Sequence, residues 1–191
     1  MASWLMEREN IMDNKFYDMT IAGLKRRLPI CSVSENLDIA GFILFGDVEI
    51  TIAAAKELIK KVGEFDIIAT PEAKSIPLAY ELSRQTGKPY IVARKGTKVY
   101  MKDPICVNVQ SITTKSEQKL YLGKDEVELL KGKRVLIVDD VISTGESLRS
   151  MQLLVKEAGG KISCSCAILA EGDAAERDDI VFLEKLPLFF K

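Results

Sequence analysis

Four short apolar runs constrain this chain more than any other feature: FDIIAT (65–70), KPYIVARK (88–95), KRVLIVDD (133–140) and KISCSCAILA (161–170). Each is a strand-length stretch rich in Ile, Val and Leu, and between them lie segments long enough for a helix. Strands that are apolar on both faces must be covered on both faces, and parallel neighbours need a crossover between them. A helix is predicted over 76–85, and another after residue 140 that ends near Gly159 and Gly160. The pattern therefore predicts an α/β fold with a parallel sheet flanked by helices. Ligands of such sheets bind beyond the carboxyl ends of the strands, which directs attention to the residues following each run.

The remaining segments are read with the same rules. Residues 15–28 (KFYDMTIAGLKRRL) carry apolar residues at helical spacing and end in a basic turn before Pro29, so a helix is expected there. Residues 30–33 and 38–45 read as strands, and Asp47 as the cap of a helix reaching about Val62, with Ile50, Ala54, Leu58 and Ile59 on one face. DIVFLEKLPLFF (179–190) is expected to close the sheet as a last strand. Residues 96–120 form a long polar connection, which fits a lid or binding loop, with a solvated β-hairpin as the alternative.

Composition removes several chemistries. The chain of 191 residues has no histidine, so a Ser-His-Asp triad, an HExxH zinc site and a C2H2 finger are excluded. Its 27 Lys and Arg balance 28 Asp and Glu, for a net charge of −1, and no nucleic-acid or membrane-surface partner is expected. The longest apolar runs fall far short of a membrane span, and MASWLMEREN lacks the basic start and apolar core of a signal peptide, so a cytoplasmic location is expected. The four cysteines include Cys164 and Cys166 on one face of a strand; with no second pair they read as buried free thiols rather than a metal site.

The chemistry concentrates in VLIVDDVISTGES (135–147). A buried strand ends in Asp139 and Asp140, and a short loop with Ser143, Thr144, Gly145 and Ser147 leads into a helix. Hydroxyls and unpaired backbone N–H groups at a helix start suit a phosphate monoester, and Gly145 allows a close approach. Neighbouring strand residues face opposite ways, so the two aspartates are expected to divide the work: one toward vicinal sugar hydroxyls, the other toward a metal or the reacting centre. A Walker A loop lacks its lysine here, and a GxGxxG turn is absent. A receiver domain opens with such a strand, whereas this one lies late in the chain. Two acids at a buried strand end also exceed what a simple helix cap requires.

Apolar strand, Asp-Asp, two residues, then Ser-Thr-Gly resembles the 5-phosphoribosyl-1-pyrophosphate (PRPP) binding motif of type I phosphoribosyltransferases. Thr70-Pro71-Glu72-Ala73-Lys74-Ser75 resembles the pyrophosphate loop of the adenine enzymes, and Arg94-Lys95 their Arg-Lys pair. ARKGTKVY followed by SITTKSEQKLYL is similar to the xanthine and archaeal hypoxanthine enzymes. The resembling elements run in order over about residues 66–172.

The resemblance implies a type I phosphoribosyltransferase fold, a single domain over 1–191. A region with a small hood would occupy about 1–65, a PRPP-binding core with a flexible lid (96–120) about 66–175, and a C-terminal strand about 176–191. It implies a purine phosphoribosyltransferase, adenine-type first and xanthine or hypoxanthine next, acting in purine salvage as a homodimer on PRPP and a purine base. A catalytically silent PRPP-sensing regulator of the same fold is the alternative. By the resemblance Asp139 and Asp140 are the catalytic pair. Ser143, Thr144, Gly145, Glu146 and Ser147 take the 5-phosphate, and Glu72, Ala73, Lys74, Ser75, Arg94 and Lys95 the pyrophosphate. Val141 packs against the base or is a core residue. Mg²⁺ is the implied cofactor, held mainly through PRPP with no ligand assigned from the protein. Two positions depart from the adenine pattern: Glu146 replaces a second glycine, and Tyr121 stands where the lid glutamate is found, with Glu117 the nearest acid. FGDVEIT (45–51) either contributes acids to the hood or holds only the cap at Asp47.

Overall fold

The computed structural model describes residues 15–110 and 117–191. The four apolar runs all form strands of one parallel sheet: β4 (Ile67–Pro71), β5 (Tyr90–Ala93), β8 (Arg134–Ile142) and β9 (Lys161–Glu171), with β10 (Val181–Leu186) as the fifth. The order across the sheet is β10-β9-β8-β4-β5, and every pairing is parallel. β8 lies at the centre, so Asp139 and Asp140 emerge at the middle of the sheet's carboxyl edge.

Helices cover both faces. On one side α1 (Val48–Ile59) and α2 (Ile76–Thr86) bury Ile50, Leu58, Leu78 and Leu82 against Leu136 and Val138 of β8. On the other side α4 (Glu146–Glu157) buries Leu148, Met151 and Leu154 against Val135 and Ile137. The alternation along β8 is thus the alternation between two cores. Each fully buried Leu or Ile contributes about 2 kcal/mol of apolar transfer energy. A short helix, α3 (Lys124–Leu130), precedes β8; the sequence reading had no element there. No helix among the described residues is long and apolar enough to cross a membrane.

The expected helix over 15–28 is instead a hairpin of β1 (Phe16–Ile21) and β2 (Leu24–Ser34). Tyr17, Met19 and Ile21 turn inward at every second position, and Ala22 (φ 50°) with Gly23 (φ +81°) makes the two-residue turn that twists with its strands. β3 (Leu37–Ala40) pairs antiparallel with β2 and stops at Ala40, well short of the strand expected to residue 45. The terminal segment is two strands rather than one. β10 completes the parallel sheet; after Pro187, which has no N–H for a ladder, β11 (Leu188–Phe190) pairs with β3. The second sheet, β1-β2-β3-β11, packs on the α1–α2 side of the core, where Ile21, Leu28 and Ala40 join the buried cluster.

Asp47 caps α1 by accepting the Ile50 N–H at 3.1 Å, and Arg26 of β2 grips the same carboxylate at 2.6 and 2.9 Å. Arg26 also reaches Glu49 at 2.9 Å. The acids of FGDVEIT thus cap the helix and tie the small sheet to it. Of the cysteines only Cys166 is buried; Cys164 is half-buried, while Cys31 and Cys106 are exposed, which corrects the expectation of four buried thiols.

Candidate active site

The carboxyl ends of β4, β5 and β8 meet at one cleft. Glu72, Ala73, Lys74 and Ser75 line it from the turn after β4, Lys95 from beyond β5, Asp139, Asp140 and Val141 from β8, and Ser147 from α4. Pro71 and Leu120 complete the lining. Nine of the residues singled out from the sequence thus border a single opening, although Glu72 and Asp140 lie 68 positions apart.

Asp139 sits on the α4 side, where the Ser147 hydroxyl donates to it and its own Oδ1 accepts the Asp140 backbone N–H at 3.0 Å. Burial pushes the Asp139 carboxyl up to about 7, and the adjacent Asp140 carboxylate pushes the same way. Asp140 is 5% exposed, and its Oδ2 has no hydrogen-bond partner among the described residues. A buried acceptor without a donor costs about 1–3 kcal/mol, so a ligand donor at this point recovers free energy that the fold gives up. The two aspartates border one cleft with different environments, as their neighbouring places on a strand require.

The turn after β4 is braced from beneath. The Thr70 hydroxyl lies 2.9 Å from the Val138 carbonyl and 2.7 Å from the Ser75 hydroxyl, which lies 3.2 Å from the Pro71 carbonyl. Ser75 is 1% exposed and its hydroxyl is held within the turn by Thr70 and Pro71, while Thr70 makes the link to β8. Lys74 and Ala73 are exposed at the mouth. Glu72 accepts the Lys95 backbone N–H at 3.0 Å and Arg94 Nη1 at 3.3 Å. That N–H, with Lys98 and Arg94 close by, holds the Glu72 carboxyl below its ordinary range. Arg94 does not border the cleft directly; its other nitrogen, Nη2, donates to the Tyr100 hydroxyl at 3.1 Å.

Ser143, Thr144, Gly145 and Glu146 form the loop and first turn next to Ser147, at the edge of the cleft rather than in its wall. Both hydroxyl residues are exposed, and Gly145 takes φ +79° at the N-cap of α4, the left-handed conformation for which glycine is suited. Val141 is half-buried: it lines the cleft and also packs against the core beneath the small sheet.

The long connection 96–120 contains an antiparallel pair, β6 (Ile105–Gln110) and β7 (Glu117–Leu122). Residues 111–116 lie outside the described residues. The pair is rooted in the core: Leu120 and Leu122 are buried with α4, and Arg94 bridges to Tyr121 through two backbone bonds of 2.8 and 2.9 Å. Tyr121 bonds the Cys106 side chain across the pair, which together with burial raises its phenol.

Sequence reasoning missed Arg177 and Glu171. Glu171 closes β9 at the same edge, and burial raises its carboxyl against the pull of Lys74. Arg177 follows a 3₁₀ turn after β9 and lies over Gly145. Neither stands in a motif; only the topology brings them here.

A parallel sheet covered by helices on both faces, with a charged cleft at its carboxyl edge, defines the class: an α/β protein with its site beyond the strand ends. The family is more specific. A model of the phosphoribosyl transferase domain matches residues 48–187, and the chain belongs to that family. Hypoxanthine/guanine phosphoribosyltransferase of Methanotorris igneus is 39% identical over 121 residues, 62% of this chain and 62% of that protein. Adenine phosphoribosyltransferase of Thermotoga petrophila is 35% identical over 108 residues, 56% of this chain and 60% of that protein. The chain thus spans about three fifths of the length of these curated relatives. The fold also matches the crystal structure of adenine phosphoribosyltransferase from Thermoanaerobacter pseudethanolicus, with a TM-score of 0.64 at 22% identity, over 89% of this chain and 95% of that one. The type I phosphoribosyltransferase fold expected from the sequence is the fold observed.

Proposed function

We propose that the chain is a purine phosphoribosyltransferase of purine salvage, moving the 5-phosphoribosyl group from PRPP to a purine base and releasing pyrophosphate. The observation that carries this reading is the shared cleft. Two carboxylates and a cationic turn line one opening with the Ser143–Ser147 loop at its edge, a set that suits the ribose, the pyrophosphate and the 5-phosphate of PRPP. Relatives named for both adenine and hypoxanthine/guanine support a purine as acceptor.

In this reading Asp140, with its unpartnered Oδ2, accepts a ribose hydroxyl. Asp139, held by Ser147 and titrating near neutrality, accepts the other or faces the reacting carbon. Ser143, Thr144, Gly145, Glu146 and Ser147 surround the 5-phosphate, where backbone N–H groups at the start of α4 and two hydroxyls meet its charge. Lys74 and Lys95 meet the pyrophosphate from two sides, and Arg94 joins them by exchanging Glu72 for the phosphate. Charge developing on the leaving group is stabilised in place, without reorganisation of solvent. A base nitrogen bonds to the anomeric carbon as the pyrophosphate oxygen departs with the bonding pair, and the ring proton that the free base carried passes to the departing pyrophosphate or to solvent. The intervening oxocarbenium-like state reacts with water, so the strand pair within 96–120 serves as the lid and Val141 as the apolar wall for the base.

Among the described residues no three of Asp, Glu, His and Cys gather as a metal cage. The buried Asp140 carboxylate, with Oδ2 unpartnered among the described residues, and its neighbour Asp139 would be the groups to face a Mg²⁺ carried by the oxygens of PRPP and water. When bound, such an ion neutralises the departing pyrophosphate. The reading takes the working form as a cytoplasmic homodimer of single-domain chains.

The test is nucleotide formation from PRPP and Mg²⁺ with adenine, hypoxanthine, guanine and xanthine, each alone, and with uracil and orotate for comparison. Turnover with at least one purine and none with the pyrimidines is expected. Turnover with no purine overturns the reading.

A further inference from the structure

The loop after β8 is overlain by a cation from a different part of the chain. A β-carbon built on Gly145 would lie 2.6 Å from Nη1 of Arg177 and 3.9 Å from its Cζ. The guanidinium therefore occupies the space a side chain at 145 would fill. The positive φ of Gly145 favours glycine there, and the bare α-carbon lets the Arg177 guanidinium lie close over the loop.

Arg177 is held in this position from behind. Its Nε and Nη2 form a two-pronged pair with Asp179, at 2.8 and 2.7 Å. That fork fixes the guanidinium plane and uses one edge, leaving Nη1 as the nitrogen turned toward the loop. The turn that delivers it is also fixed. Ala174 is buried, the Arg177 N–H donates to the Ala174 carbonyl at 3.3 Å, and Gly172 (φ +57°) lies so close to Leu188 that a β-carbon would sit 2.7 Å from its side chain. With 32% of the Arg177 side chain exposed, the group is accessible to a ligand yet partly shielded from water.

A surface ion pair two residues apart does not require its arginine to lie on a neighbouring loop. Here the arginine Nη1 lies against Gly145 at the start of α4, so the pair brings a cation to that loop. Glu146 places an acid in the first turn of that helix, which disfavours an anion nearby. A guanidinium over Gly145 offsets that charge.

We infer that Arg177 is a further ligand for the phosphate monoester, donating through Nη1 to its oxygens while Asp179 holds the fork in position. The inference rests on the reading that Ser143–Ser147 receives the 5-phosphate, and it places the positive charge for that group on the segment after β9 rather than within the loop. It also explains how the loop tolerates Glu146 where the adenine enzymes carry glycine.

Calorimetric titration separates this claim from the one beneath it, with ribose 5-phosphate and pyrophosphate as separate probes. Arg177→Ala is expected to weaken ribose 5-phosphate binding about tenfold to a hundredfold, as loss of a charge-assisted hydrogen bond does, and to leave pyrophosphate binding unchanged. Arg177→Lys should recover part of the loss. Asp179→Asn retains the guanidinium but loosens it, and should cost about two- to fivefold. In turnover the KM for PRPP should rise while the KM for the base stays constant. Wild-type protein that binds ribose 5-phosphate, with Arg177→Ala binding it equally well, overturns this inference alone. Wild-type protein that binds PRPP but no ribose 5-phosphate overturns the phosphate-loop reading and the role of Arg177 with it.

Discussion

The two ends of the cleft meet their ligand differently. At the ribose end Asp140 Oδ2 is buried and has no partner among the described residues, and Ser143 and Thr144 are exposed. At the pyrophosphate end Arg94 is already engaged, by the Glu72 carboxylate that also holds the Lys95 backbone N–H. One end has unmet hydrogen-bond capacity and binds by filling it. The other must exchange one anion for another, so its net gain per contact is smaller. Cations alone therefore do not rank the two ends, because what each group leaves behind sets the balance.

The ribose end should show the largest effect. Asp139→Asn with Asp140→Asn is expected to lower kcat/KM for PRPP at least about a hundredfold and to abolish thermal stabilisation by PRPP, as measured by scanning fluorimetry. Unchanged stabilisation would break the contrast at its stronger end.

Next comes the pH dependence of stability. Asp139 is raised to about 7 in the fold, above the ordinary unfolded carboxylate value, so the folded state binds the extra proton. Stability from this group is therefore full at low pH and falls as pH rises from about 4 to 7, by something on the order of 4 kcal/mol. Urea unfolding of wild type and Asp139→Asn at pH 5 and pH 8 measures it: the variant's advantage should be greater at pH 8. An equal difference at both values would contradict the burial of that carboxyl.

The pyrophosphate end should respond less. Lys74→Ala is expected to raise the KM for PRPP about five- to tenfold with little change in the KM for the base, read from initial rates. The smallest effect sharpens the comparison most. Glu72→Gln weakens the hold on Arg94 without changing shape, so pyrophosphate should bind about threefold tighter, whereas weaker binding would mean that Glu72 positions Arg94 rather than occupying it.

How much of this was legible in the sequence follows the same division between local and distant interactions. The central sheet was readable because FDIIAT, RVLIV and the run around Cys166 are apolar on both faces and need cover whatever their neighbours do. The Asp-Asp and Ser-Thr-Gly residues were readable because strand, loop and helix start adjoin in sequence. The small sheet was not. In KFYDMTIAGLKRRL a period of two and a helical period compete, and only the Ala22-Gly23 turn and pairing with β2 decide between them. LPLFF gives no sign that Phe189 will pair with Asp38. Arg177 was invisible for the same reason: its partner loop lies some thirty positions earlier, across β9. The bracing of Ser75 by Thr70 likewise depends on β8 lying beside β4.

The central claim is that the two ends of the cleft hold the two ends of one molecule. Competition calorimetry tests it directly, by titrating PRPP into protein saturated with ribose 5-phosphate and, separately, with pyrophosphate. Each should lower the apparent affinity for PRPP as a simple competitor, because each fills one half of the same site. If PRPP binds with undiminished affinity in the presence of either saturating fragment, that half of the cleft is not where PRPP sits.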